Sequence, residues 1–139
     1  MHAIYEALIP YTSYLALVLR VWVGANFVIH ARPKTGKGAA QSVSWIKSVG
    51  YPGWTATAAT YLELLGGIFL IIGLIVPVVA VLFIIQFAAI TVMKKRKQHA
   101  EYISPGKPSY EIDILYLILA IVILVLGSGV LSLDALIGF

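Results

Sequence analysis

Charged side chains inside apolar runs are the residues of this chain that could do chemistry. Arg20 lies in "YLALVLRVWVGANFVIH" and Glu63 in "YLELLGGIFLIIGLI", while Glu111 and Asp113 stand where a further apolar run begins. A carboxylate in apolar surroundings can bind and release protons, and a guanidinium can donate hydrogen bonds to a carbonyl group. These residue types therefore suit either buried ion pairs or a functional site within apolar surroundings.

The elements that must position these side chains follow from the composition. Of 139 residues, 60% are hydrophobic and 12% charged, and the mean hydropathy is +0.94. Such a chain has too little polar surface for a soluble protein, so we expect it in a lipid bilayer. Four apolar runs each approach the ~20 residues that a membrane-spanning helix needs, and they cover 11–29, 56–73, 75–92 and 114–133. The sequence predicts an all-α membrane four-helix bundle that forms one domain over residues 1–139.

The loop charges predict the orientation in the membrane. Residues 30–55 and 94–113 carry nine of the ten Lys and Arg residues, and such residues mark the cytoplasmic side of a membrane protein. We therefore expect a multi-pass protein of the cell membrane with both loops in the cytoplasm and both termini outside. The net charge of +4 follows from this asymmetry, so it gives no reason to expect a nucleic-acid partner.

The first loop also has a helical pattern between residues 38 and 54. Apolar or small residues recur at helical spacing, at Ala39, Val43, Ile46 and Gly50. This spacing predicts a short amphipathic helix in the cytoplasmic interface, anchored by Trp45 and Trp54.

An arginine and a glutamate inside two predicted spans indicate a buried ion pair. A lone charge at the centre of a bilayer costs at least ~2.5 to 3.5 kcal/mol, so it is seldom kept without a partner. Counted from the predicted cytoplasmic ends of their spans, Arg20 and Glu63 lie within roughly 5 Å of the same depth. Each shares a helix face with a glycine, Gly24 or Gly66, and glycine lets helices approach closely in lipid. The sequence therefore predicts an Arg20–Glu63 pair, with either a structural or a functional role.

These polar and glycine positions together resemble the DoxX family of small four-helix membrane proteins. The resemblance covers nearly the whole chain in the same order, and the residues that carry it are Arg20, Gly24, Phe27, His30, Lys34, Gly50, Pro52, Glu63, Gly66, Gly67, Gly73, Tyr110, Glu111, Gly127, Gly129, Ser132 and Asp134. The chain departs from the family pattern at Ala31, where the family usually has a glycine after the histidine.

The resemblance implies membrane redox biology. The family is named for a subunit of a thiosulfate:quinone oxidoreductase, which works with a second subunit to pass electrons from thiosulfate to quinone. Other members look like components of redox-defence systems or accessory subunits of respiratory assemblies. The implied partners are other membrane redox subunits, and whether the chain is itself an enzyme stays open.

A quinone site needs an apolar slot and a hydrogen-bond donor at each carbonyl group. Arg20, His30 and Tyr61 or Tyr110 are the candidate donors for quinone binding. The position of His30, where a helix meets the lipid head groups, favours an interfacial histidine without a ligand role, and tyrosines near span ends are typical of the aromatic belt.

Quinone reduction also needs a path for protons from water. Glu63, Glu111 and Asp113 are the candidate relay groups, and with Arg20 they form the set of candidate catalytic residues. Glu111 and Asp113 would also suit the dipole at the start of a fourth helix, as simple caps. The chain has no cysteine and its histidines are not paired within the bundle, so we expect neither haem nor a metal ion in this chain.

Three functions fit the sequence. The chain is a quinone-interacting subunit of a membrane redox complex, a structural or accessory subunit without chemistry, or a small multidrug-type transporter. A transporter of that class would keep its carboxylate unpaired and usually on the first helix, whereas Glu63 is on the second predicted span. A homo-oligomer is compatible with all three.

Overall fold

The computed structural model describes residues 2–139, except for the side chains of residues 2, 3 and 5. It confirms the all-α prediction over this part of the chain. The helices are α1 (His2–Leu8), α2 (Thr12–Ala31), α3 (Ala39–Ser48), α4 (Gly53–Ile72), α5 (Val76–Lys97), α6 (Glu111–Leu126) and α7 (Leu133–Ile137), and short 3-10 turns cover Ile9–Tyr11, Arg32–Lys34 and Gly36–Gly38.

Three helical stretches are long and apolar enough to cross a membrane. Among the described residues they are Glu6–Lys34, Gly53–Ile72 and Val76–Lys97. The first contains the predicted span 11–29, and the other two cover 56–73 and 75–92 except for Gly73 and Ile75. The fourth predicted span, 114–133, is wrong at its C-terminal end, because α6 has 16 residues and ends at Leu126. Gly127 follows with φ 71° and ψ −167°, a conformation that is practically restricted to glycine. The chain therefore leaves the helix seven residues before the predicted end.

The four long helices pack in a ring around an apolar core. α2 packs against α4 and α6, and α5 packs against the same two helices. The core side chains from the four helices include Val23, Leu70, Phe83 and Ile123. Large apolar side chains such as Val125, 79% exposed, cover the outside. A soluble monomer does not expose so much apolar surface, so the outer face suits lipid.

Two glycines set the register of α2 against α4. A Cβ atom built on Gly24 would lie 2.5 Å from the Gly67 carbonyl oxygen, and one on Gly67 would lie 2.7 Å from the Gly24 carbonyl oxygen. The backbones are therefore in direct contact, which confirms that glycine brings these helices together. Because the helices are antiparallel, this contact determines which residues of each helix lie at the same level.

The helix predicted in the first loop is confirmed as α3. Ile46 packs with Ala56 of α4 and Met93 of α5, so α3 is fixed to the bundle. Trp45 and Trp54 remain exposed. The helix ends at Ser48, and Gly50 follows with φ 91°.

Candidate functional site

Glu63 is the centre of a buried polar cluster between three elements. It lies on α4 and is 6% exposed. Lys34 Nζ, from the 3-10 turn after α2, lies 2.7 Å from Glu63 Oε2, and Gln86 Nε2 of α5 donates to Glu63 Oε1 at 3.1 Å. We call these three residues the Glu63 site. Each carboxylate oxygen has one side-chain partner, and one of those partners carries the compensating charge.

The predicted Arg20–Glu63 pair is wrong. The contact between Gly24 and Gly67 places Arg20 opposite Ile71, eight residues along α4 from Glu63. At 1.5 Å per residue the two charges are separated by roughly 12 Å along the helix axis, too far for the side chains to meet. The prediction failed because it measured depth from assumed helix ends instead of from the point where the helices touch.

Arg20 bonds instead to backbone carbonyl groups at the other end of the bundle. The side chain is 1% exposed. Its Nη1 donates to the carbonyl oxygens of Leu70 at 3.1 Å and Ile71 at 3.4 Å, and its Nη2 donates to Leu131. Leu70 and Ile71 lie in the last turn of α4, where a helix has unpaired carbonyl groups and a partial negative charge. Arg20 therefore closes the C-terminal end of α4.

The acidic group that acts electrostatically on Arg20 is Asp134. Asp134 is fully buried, and its carboxylate accepts hydrogen bonds from the backbone N–H groups of Ile75 at 2.5 Å and Val76 at 2.9 Å. These two groups stand at the start of α5, where the helix dipole favours an anion. We call Arg20, Leu131 and Asp134 the Arg20 cluster. It fixes the C-terminal segment across the turn between α4 and α5.

Gly73 explains why that turn can accommodate the guanidinium. Its φ is 73°, and a Cβ atom there would lie 2.0 Å from Arg20 Nη1. A larger residue at this position would displace Arg20 from its carbonyl partners.

A small cleft opens beside the Glu63 site. Its volume is about 70 Å³, and its lining includes Lys34, Ser42, Thr57, Thr60 and Tyr61. Thr60 lies one helical turn from Glu63 on α4. Since Lys34 both lines the cleft and binds Glu63, the cleft reaches the ion pair from the side of the first loop.

An aromatic cluster lies on the inner side of the bundle. Phe27 has its ring centre 4.2 Å from that of Phe83, 5.4 Å from Phe87 and 5.0 Å from Tyr116. A Cβ atom on Gly66 would lie 2.8 Å from the Phe83 ring and one on Gly67 would lie 3.1 Å from Phe27 Cβ. Both glycines are within about one turn of Glu63 on α4, so the Glu63 site is next to this cluster. The arrangement places one ionisable carboxylate between a polar cleft and an apolar, ring-lined core.

The structure does not bring the other predicted ligand residues together. Tyr61 lines the cleft, but Arg20 and His30 are not among the residues that line it. His30 is exposed on the outer surface. Tyr110 packs its ring 5.7 Å from Tyr102 in the second loop. Of the predicted quinone donors, Tyr61 is therefore the one at the cleft.

The two acidic residues at the start of α6 differ in their surroundings. Asp113 is 7% exposed and its Oδ2 lies 2.6 Å from Lys94 Nζ, which also donates to the Ser109 carbonyl oxygen at 3.1 Å. Glu111 is exposed. Asp113 therefore ties α6 to α5, and neither residue lines the cleft.

Sequence reasoning missed the roles of three residues. Lys34 is one of the nine loop charges that predict the orientation, and its ion pair with Glu63 was not predicted. Gln86 is the amide within the apolar run "VVAVLFIIQFAAI", and such a polar residue in a span is a signal for a buried partner. Asp134 directly follows the predicted span 114–133, so its hydrogen bonds to the start of α5 were not predicted.

Comparisons with known proteins agree with the resemblance. The DoxX family model matches residues 15–96, more than half of the chain. A protein of Bacillus subtilis (strain 168) named "Putative oxidoreductase CatD" is 30% identical over 118 residues, which are 85% of this chain and 83% of that protein. No solved structure gives a significant match. The family match includes the whole Glu63 site, whereas Asp134 lies beyond it.

Proposed function

Because the chain belongs to the DoxX family, we propose that it is an integral-membrane subunit of a redox complex and that it interacts with quinone at the Glu63 site. The relative named as an oxidoreductase supports the redox part of this proposal. Reduction of a quinone adds two electrons and two protons to its two carbonyl oxygens. A partner subunit that oxidises a small reduced donor such as thiosulfate would supply the electrons, and water at the cytoplasmic side would supply the protons.

The observation that carries the proposal is the contrast in exposure within one ion pair. The Glu63 side chain is 8% exposed, whereas the Lys34 side chain is 37% exposed. A buried carboxylate whose partner reaches water is suited to exchange protons with the loop side while it stays in contact with the core. Arg20 and Asp134 have no such route, because both are buried and bonded to backbone groups.

The chemistry of the cleft fits a quinone head group, but its volume in this conformation does not. Lys34, Thr57 and Tyr61 carry donors for a carbonyl oxygen, and Glu63 lies beyond them. Pockets for small organic ligands commonly hold ~300 Å³ or more, whereas this cleft holds about 70 Å³. A ring could enter only if the loop segment that carries Lys34 moved.

We extend the proposal to the topology. α6 has 16 residues, which span about 24 Å. The chain beyond Leu126 packs Ser132 and Asp134 against the bundle, where Arg20 donates to the Leu131 carbonyl oxygen and the Asp134 N–H group donates to the Gly73 carbonyl oxygen. Non-helical backbone within a membrane is tolerated where the protein satisfies its polar groups in this way. We therefore place α6 across the membrane as the fourth span, with both termini outside and the two basic loops in the cytoplasm.

The experiment is a gentle detergent extraction of the chain from native membranes. Mass spectrometry of the intact assembly identifies the co-purified subunits, and analysis of the lipid extract measures quinone per chain. The proposal predicts oxidoreductase subunits and quinone with the native chain, quinone lost in Glu63→Gln, and quinone retained in the matched Glu111→Gln control. Purification without oxidoreductase subunits and without quinone would contradict it.

The second candidate is an accessory subunit without chemistry, and the small cleft volume favours it. In that case oxidoreductase subunits co-purify, but quinone per chain is the same in the native chain, Glu63→Gln and Glu111→Gln. The transporter fits the structure less well, because Glu63 already has a lysine partner instead of facing a cavity alone.

A further inference from the structure

The side chain of Gln86 has one satisfied and one unsatisfied end. It is 9% exposed, so it is buried inside the bundle. Its Nε2 donates to Glu63 Oε1 at 3.1 Å, but no donor among the residues that the structure describes bonds to its Oε1. A buried acceptor without a partner is costly, because folding removes it from water and returns no hydrogen bond, so its presence needs a reason.

The reason we infer is the change in hydrogen bonding when Glu63 takes up a proton. An ionised carboxylate only accepts hydrogen bonds, whereas a protonated one also donates through its O–H group. A glutamine amide carries both a donor and an acceptor, and half a turn about its last bond exchanges them. Gln86 can therefore bond to Glu63 in either state, through Nε2 when Glu63 is ionised and through Oε1 when it is protonated.

Lys34 cannot follow Glu63 through the same change. Its ammonium group has three donors and no acceptor, and it is held at 2.7 Å by the charge of Glu63. When that charge is neutralised, the attraction is lost, and the Lys34 side chain is already 37% exposed. Moving it into water therefore costs little, and its departure removes one wall of the cleft.

The groups that surround Glu63 allow Lys34 to leave when Glu63 is protonated. Among the described residues, Lys34 from the 3-10 turn forms the ion pair and α5 faces Glu63 with uncharged Gln86. The charge of Glu63 reaches Tyr116 of α6, and α2 places Val28 against Gly67, one turn along α4. Proton uptake by Glu63 therefore changes the charge that holds Lys34, with Tyr116 the other titratable group nearby.

We propose that Gln86 is a positioning residue that holds Glu63 in both protonation states, and that protonation of Glu63 releases Lys34 and enlarges the cleft. This inference rests on the proposed function for its purpose, since the enlarged cleft would let a quinone ring enter or leave, and the return of Lys34 to ionised Glu63 would hold the ring in place. Glu63→Gln would keep the cleft open and so would lose its quinone. The contacts of Gln86 with Glu63 and the release of Lys34 can be measured without quinone.

The release of Lys34 is tested by amine labelling of the purified chain in lipid nanodiscs. The rate of modification at Lys34 is measured by mass spectrometry at one fixed pH, with exposed Lys97 as an internal reference. Glu63→Gln imitates the protonated state, so the Lys34 rate relative to Lys97 should rise several-fold. Glu101→Gln, at an exposed carboxylate outside the candidate catalytic set, is the matched control and should leave the ratio unchanged. An unchanged Lys34 ratio in Glu63→Gln would overturn the release.

The role of Gln86 is tested by infrared difference spectroscopy during acidification. The carbonyl band of protonated Glu63 is assigned by its loss in Glu63→Gln. In Gln86→Leu the protonated carboxyl group loses its hydrogen-bond acceptor, so its carbonyl band should move to higher wavenumber. Gln86→Asn again offers an amide acceptor, so it should reverse part of that shift. A band unchanged in Gln86→Leu would overturn the positioning role.

These readouts separate the inference from the proposed function. A Lys34 response and a shifted Glu63 band in a protein that purifies without quinone would support the inference and contradict the quinone proposal. Bound quinone together with an unchanged Lys34 labelling ratio would support the quinone proposal and contradict the inference.

Discussion

The two ends of the bundle handle buried charge in different ways. In the Arg20 cluster, Arg20 is 1% and Asp134 0% exposed, and both are bonded to backbone groups at helix ends. In the Glu63 site, the carboxylate is bonded to two side chains, and one of these reaches water. Backbone partners cannot leave without unwinding a helix, whereas a lysine side chain can. The comparison therefore supports a structural role for the Arg20 cluster and the proposed proton exchange at the Glu63 site.

The largest expected effect is on stability, at the Arg20 cluster. Arg20→Met leaves the carbonyl oxygens of Leu70, Ile71 and Leu131 without their donor, and each buried polar group left unsatisfied typically costs ~1 to 3 kcal/mol. Chemical unfolding in detergent measures this loss. Arg96→Met removes an exposed cation at the end of α5 and should change the free energy of unfolding by less than about 0.5 kcal/mol. Equal free energies of unfolding for Arg20→Met and Arg96→Met would contradict a structural role for the Arg20 cluster.

The next effect is the coupling between charges, measured by double-mutant cycles. Arg20→Met combined with Asp134→Asn should deviate from additivity by ~0.5 to 3 kcal/mol, because the residues share a network. Arg20→Met combined with Glu63→Gln should be additive within about 0.5 kcal/mol, because the charges are roughly 12 Å apart along the helices. Coupling in the second cycle and additivity in the first would restore the Arg20–Glu63 pair.

A smaller stability effect is expected at Lys34, with a larger effect on function. The side chain is more than a third exposed, so its ion pair should contribute ~0 to 1 kcal/mol to the free energy of unfolding. Lys34→Gln should therefore fold normally but lose quinone, because the cleft loses its cationic donor. Lys97→Gln, at an exposed lysine, should retain it. If Lys34→Gln lowered the free energy of unfolding as much as Arg20→Met, the Glu63 site would be as structural as the Arg20 cluster.

The smallest effect is expected at the start of α6. Glu111→Gln changes an exposed carboxylate, so stability should stay within about 0.5 kcal/mol of the native chain. Asp113→Asn removes the charge paired with Lys94 and should cost more in the same unfolding measurement. If Glu111→Gln slowed quinone-linked turnover, the relay predicted through this residue would return.

The sequence predicted the helices well because hydropathy and helix length are local properties. It predicted that glycines bring α2 and α4 together, but the partners of Arg20 depend on where Gly24 meets Gly67, and the pattern of neither helix alone gives that register. The end of α6 was missed because the sequence stays apolar beyond Gly127, where the helix stops. The prediction therefore put Asp134 after a continuous span instead of beside the start of α5. Lys34 and Gln86 bind Glu63 from separate elements, so their meeting depends on the assembled bundle.

The most direct test of the account is to map where a photoreactive short-chain quinone attaches to the chain in native-lipid nanodiscs. Peptide mass spectrometry locates the label, with excess unlabelled quinone as competitor. We expect competed labelling within residues 34–42 and 56–61, the segments that line the cleft, and loss of that labelling in Glu63→Gln but not in Glu111→Gln. Competed labelling confined to the groove beside the Arg20 cluster, at residues 130–136, would contradict the assignment of exchange to the Glu63 site.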